Sequence, residues 1–195
     1  MKKIILAAVA IFGFAFTANA QTEQGKWVIS GSTSISFATT NLTLEFEGEE
    51  ISDDAKASIF SFTPSVGYFV INNLAVGLDL SFSSAKNDDG TTDVTTSSFS
   101  SILGGTYYFE AGDKFKPFVG LGAGLISTSS GDDDVLKSNG LALRGKGGVA
   151  YFVNESLSVD FSVLYLNTNQ KNKENNDLVS KNSSLAVGLG FSLFL

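Results

Sequence analysis

The chain has 195 residues, the length of a single domain, and 43% of them are hydrophobic. It contains no cysteine and no histidine, which rules out disulfide staples and removes the commonest general base and metal ligand. A formal charge of −7 makes it a poor partner for nucleic acid, whose phosphates would repel it.

Lys2 and Lys3 open the chain, an apolar stretch runs from Ile4 to Phe16, and Thr17-Ala18-Asn19-Ala20 follows. A basic start, a short apolar core and a small-x-small site have the form of a cleaved signal peptide, so residues 1–20 read as the signal and residues 21–195 as the mature domain. The apolar stretch is short of the ~20 residues that a spanning helix needs. The cleavage site has no cysteine for a lipid anchor. Without Lys2 and Lys3, 11 basic residues stand against 20 acidic ones, a net −9.

Alternating runs then recur to the end of the chain. A strand points successive side chains to opposite faces, so each run has one greasy face and one small or polar face. Residues 26–39 carry Trp27, Ile29, Ile35 and Phe37 on one face and Ser30, Ser32, Ser34 and Ser36 on the other. The greasy face of 58–71 holds Phe60, Phe62, Val66, Tyr68 and Val70, and that of 74–85 holds Leu74, Val76, Leu78, Leu80 and Phe82. Residues 95–109 contribute Phe99, Leu103, Tyr107 and Phe109, and 114–129 contribute Val119, Leu121, Ala123 and Leu125. Residues 139–153 add Leu141, Leu143, Val149, Tyr151 and Val153. Residues 156–168 add Leu157, Val159, Phe161, Val163 and Tyr165. The last run, 181–195, alternates strictly: Leu185, Val187, Leu189, Phe191, Leu193 and Leu195 are spaced by Ala186, Gly188, Gly190 and Ser192.

Each run exceeds the ~9–11 residues of a tilted transmembrane strand. Asn72-Asn73, Glu110–Asp113 and Asn154-Glu155 make short turns, whereas 40–57, 86–94, 130–138 and 169–180 are longer and polar. These features predict an all-β fold, an eight-stranded antiparallel up-and-down transmembrane β-barrel in the outer membrane, greasy face to lipid. Short turns and both termini then face the periplasm. A soluble barrel with its grease turned inward is the alternative. The aromatic residues favour the membrane. Trp27, Tyr68, Tyr107, Phe109, Tyr151 and Phe191 form a girdle near the short turns, and Phe37, Phe60, Phe82, Phe99 and Tyr165 gather toward the long connections.

The inward positions are Ser, Thr, Gly and Ala, with four charges: Asp79, Arg144, Lys146 and Asp160. Two acids and two bases can form a neutral lumenal cluster, and charges so placed need pairing or hydration. The cluster is either a salt-bridged plug or a gate on a narrow water path. Net of Lys56, Lys86 and Lys137, the acids of 40–57, 86–94 and 130–138 account for the whole mature excess of negative charge. Solvation is the plain reading; loose bridging by divalent cations to lipopolysaccharide is the sharper one, and no specific metal site is predicted. Leu42, Leu44 and Phe46 alternate with Thr43, Glu45 and Glu47, so the first strand either continues above the membrane as a ribbon or gives way to a disordered acidic loop. The change of parity between Phe37 and Leu42 predicts a bulge or bend near Thr39 to Asn41. A ribbon with open edges would make 40–57 a site for an extracellular protein partner.

The secretion signal, the Gly-rich strand from Pro117 to Leu125 and the alternating C-terminal strand together resemble the small eight-stranded outer-membrane β-barrels, the OmpA transmembrane domain and OmpX-like proteins. The resemblance covers residues 21–195 and implies assembly by the barrel-assembly machinery. Family members often end on an aromatic that this machinery reads; here Phe194-Leu195 sets it one place early. Barrel enzymes of this kind work through a histidine, which the chain lacks. The functional expectation is therefore a structural or surface-interaction, adhesion-like role without catalysis or cofactor, with a narrow pore for ions or small solutes as the alternative.

Overall fold

The computed structural model describes residues 22–46, 49–88, 93–112, 114–130, 136–172 and 179–195, with side chains described outside 35–59, 86–94 and 136. The secretion signal expected over 1–20 lies outside them. Eight strands follow in chain order: β1 Trp27–Phe46, β2 Glu49–Ile71, β3 Leu74–Asp88, β4 Asp93–Tyr108, β5 Phe115–Ser130, β6 Leu136–Phe152, β7 Leu157–Asn172 and β8 Val179–Phe194. Each pairs antiparallel with the next, and β1 pairs with β8, so the sheet closes on itself as an up-and-down barrel. Closure leaves no free edge around the wall.

The greasy faces point outward. Leu121 is 78% exposed, Leu125 66% and Leu141 65%. A soluble barrel with apolar residues inside would show the reverse, so the outer surface is built to be covered by lipid. Leu193, which alternation places on this face, is nevertheless buried beside its register partners Ile29 and Leu157.

Most strands run a few residues farther at the long-connection end than the alternation suggests. β7 reaches Asn172 and β8 begins at Val179, where the run ends and begins at 168 and 181. Backbone pairing continues there, but the apolar face is lost because it no longer has lipid to meet. The largest extension is the first hairpin, whose register holds from Trp27↔Tyr68 to Phe46↔Glu49. The ribbon, not the loop, is the observed form. The bulge expected near Thr39 to Asn41 is absent from this ladder. The irregularity falls instead on the β8 side of the same stretch of β1, between Ile35↔Val187 and Thr43↔Lys181, a span that includes Thr39 to Asn41 and in which β1 takes eight steps to six on β8. Beyond the lipid neither face must stay apolar, so the parity change needs no bulge between β1 and β2. The β2–β3 ladder ends upward at Ile59↔Ala85, so among the described residues Glu49–Ser58 pair only with β1.

The opposite end is tied by tight local bonds. Asn73 turns the chain between β2 and β3 with φ +67°, a left-handed conformation that asparagine tolerates. Asn154 Oδ1 accepts from the Ser156 and Leu157 amides at 2.9 and 2.8 Å and shapes the β6–β7 turn. Thr22 is buried at the base, where the Asn73 amide donates to its carbonyl at 2.7 Å and Lys116 Nζ donates to its Oγ1 at 3.3 Å.

Candidate functional site: a charged layer over an aromatic floor

Inside the barrel, the layer nearest the short turns is aromatic. Phe69 of β2, Tyr108 of β4, Phe118 of β5, Phe152 of β6 and Phe194 of β8 are all buried and cluster with Val28, Ala75 and Ala150. Rings from different walls meet across the lumen: Phe69–Tyr108 at 5.7 Å, Tyr108–Phe194 at 5.9 Å and Phe152–Phe194 at 4.9 Å between centroids. Offset and edge-on pairs at these separations attract beyond their buried area. An eight-stranded barrel has little interior to fill, and five rings fill it here.

The four lumenal charges lie directly above and line one cavity of about 60 Å³ together with Tyr108 and Phe118. Arg144 of β6 reaches across to Asp79 of β3 and donates from Nη2 to Oδ2. Lys146 Nζ stands 4.0 Å from the same carboxylate oxygen. Gly120 is the register partner of Lys146, and a Cβ there would meet Lys146 Cε at 2.8 Å, so the missing side chain makes room for the lysine stem. Asp160 forms no ion pair among the described residues. Ser158 Oγ donates to its Oδ1 at 2.6 Å, and Ser192 Oγ donates to Oδ2. Both serines are buried. The cluster is thus asymmetric: Asp79 takes both bases, and hydroxyls hold Asp160. The layer combines an across-lumen tether with a local hydrogen-bonded carboxylate, and among the described residues no group of three His, Cys, Asp or Glu could hold a metal ion.

The girdle residues stand on the outer surface. Trp27, Tyr68, Tyr107, Phe109, Tyr151 and Phe191 are all exposed. Trp27 meets Tyr68 at 5.2 Å and Tyr107 meets Phe109 at 5.0 Å. Phe115 joins the same belt against Tyr151 at 5.0 Å, a member that the alternation did not single out. At the other end Phe82 packs on Phe99 at 5.0 Å. The acids of the expected loops lie outside the residues whose side chains are described.

The inward aromatic floor is what sequence reasoning missed. The small and charged inward residues drew the eye, while Phe69, Tyr108, Phe118, Phe152 and Phe194 each stand one place out of step with a greasy outward set. That offset was the available signal.

The family model of the outer membrane protein beta-barrel domain matches residues 5–192, and the chain belongs to that family. It is an outer-membrane β-barrel. Among solved structures it is similar to the outer membrane protein OprG from Pseudomonas aeruginosa, at 16% identity and TM-score 0.64, covering 91% of this chain and 99% of that one. It also resembles the outer membrane protein AlkL, at 19% identity and TM-score 0.55 over 92% and 94% of the two chains. Neisserial surface protein A matches at 20% identity and TM-score 0.54 over 87% and 97%. At such identities the likeness is one of fold. No curated protein sequence matches the chain.

Proposed function

We propose that this protein is a non-catalytic surface-interaction barrel, adhesion-like in role, anchored in outer-membrane lipid and lipopolysaccharide. The observation that carries the reading is the closed lumen. An aromatic floor of five rings lies beneath a charge-tethered layer, and the cavities described at these two levels hold only about 60 and 30 Å³. A protein built to pass solutes has no use for such a floor, whereas one built to display its long-connection end does. The β1–β2 ribbon supports the same reading, because it carries paired backbone beyond the last β2–β3 partner, Ile59↔Ala85. Its sequence is acidic and suits a basic partner protein. The short turns and both termini face the periplasm, in keeping with the placement of short turns in bacterial barrels. Insertion runs through the barrel-assembly machinery.

The test is to shorten the ribbon. Thr39 and Lys56 are register partners, so an Asn-Gly turn in place of residues 40–55 joins them in a two-residue hairpin. Bacteria displaying the full chain should adhere to an epithelial cell layer, and bacteria displaying the shortened chain at equal surface level should not. Equal adherence contradicts the reading.

A second reading, a narrow gated pore, draws on the polar cavities stacked above the floor, of about 290 and 60 Å³. It requires the Arg144–Asp79 tether to be what shuts the lumen. Arg144→Ala would then raise ion conductance, and an unchanged current removes this reading.

A further inference from the structure

Above the charged layer the lumen widens into a cavity of about 290 Å³. Its wall is mainly hydroxyl, including Ser61, Ser83, Ser98, Thr128, Thr168 and Ser184. Ala85, Ile126 and Leu166 are its apolar members, and among the described residues no Asp, Glu, Lys or Arg lines it. Ser98 pairs with Thr128 and Thr96 with Ser130, both at 3.0 Å. Each such pair uses one O–H and leaves the other free to donate, with lone pairs free to accept. Gln170, also in the wall, is only 9% exposed, and its Oε1 accepts no hydrogen bond among the described residues. Asn182 Oδ1, beside it in the wall, is in the same position. A buried acceptor without a donor is destabilising, and the terminal amide torsion is soft enough to turn toward a guest.

We propose that this vestibule binds a small uncharged polyol of monosaccharide size. Its volume equals that of about ten waters at ~30 Å³ each. Hydroxyls that donate and accept match a ligand that does both, and the free amide oxygens call for donors. A wall without charge gives a desolvated ion no counter-charge. The chain's formal net charge of −7 also disfavours an anionic guest. The aromatic floor makes the vestibule blind, so a guest leaves by the way it entered: this is a binding site and not a conduit.

The test uses residues 21–195 in lipid nanodiscs with threonine methyl labels read by NMR. D-glucose is the probe, and gluconate is the anionic control. Glucose should give saturable shifts at Thr96, Thr128 and Thr168, which line the cavity, and none at Thr22 or Thr106 below it. Gluconate should give none. Thr168→Val, which removes one hydroxyl at constant volume, should weaken binding about fivefold. Ser98→Leu, which fills the cavity, should abolish it. Should that variant fail to fold, Thr168→Val alone carries the mutational test. Shifts that rise linearly without saturating, or that gluconate matches, overturn the proposal and leave a vestibule that holds water only.

Discussion

Arg144 is the residue on which the lumenal layer turns. Its guanidinium is the direct partner of Asp79, and Lys146 reaches the same carboxylate only at 4.0 Å. Breaking a buried pair by deleting one member strands the other charge, so Arg144→Ala should cost about 3 kcal/mol, measured as a lower urea midpoint for unfolding from detergent micelles. Lys146→Ala should cost less than half of that, because the tether survives. Phe194 is the second pivotal residue. It touches Phe69, Tyr108 and Phe152 across the lumen, so Phe194→Ala should destabilise the barrel by about 3 kcal/mol in the same assay. An effect below 1 kcal/mol would mean that the floor collapses around the gap or was never packed. At this scale the sequence was half legible. The charges Asp79, Arg144, Lys146 and Asp160 stood out against Ser and Gly neighbours. Their pairing did not, because strand adjacency suggests Lys146 with Asp160 across the β6–β7 turn, and the partner that Arg144 selects lies on the opposite wall. That choice depends on side-chain reach, not on spacing along the chain.

At the scale of the strand, the two faces obey different rules. The outer face of β5 meets lipid at Leu121, so Leu121→Arg should cost roughly 2–4 kcal/mol, the price of a charge near the middle of a bilayer. The inner face is governed by volume. A Cβ on Gly148 would come within 2.1 Å of the Phe161 carbonyl oxygen and 2.8 Å of Phe118 Cζ. Gly148→Val should therefore block folding, seen as loss of the heat-dependent shift in gel migration, while Gly145→Val, whose Cβ would find only Leu121 Cδ2 at 3.8 Å, should keep it. The strands themselves were plain in the sequence because lipid enforces a strict period of two. Their upper ends were not, since beyond the lipid that constraint lapses while backbone pairing continues, as in β7 from Asn169 to Asn172. The ribbon of β1 and β2 is the extreme case. Its continuity is held by a hairpin register, Thr39↔Lys56 through Phe46↔Glu49, which the alternation of Leu42, Leu44 and Phe46 hinted at on β1 and no apolar alternation matched on the acidic β2 side.

At the scale of the whole molecule, the proposed role rests on a lumen filled with aromatic rings near the short turns, beneath a cavity of about 290 Å³. That filling comes from side chains that five separate strands deliver to one level, which explains why no single segment of the sequence revealed it. The most direct test is single-channel recording of residues 21–195 refolded into a planar bilayer, with insertion verified by the heat-dependent gel shift, beside a floor-opened variant carrying Tyr108→Ala and Phe194→Ala. The account predicts a silent bilayer for the native chain and small, reproducible current steps for the variant. Current steps from the native chain would contradict it and make the protein a pore.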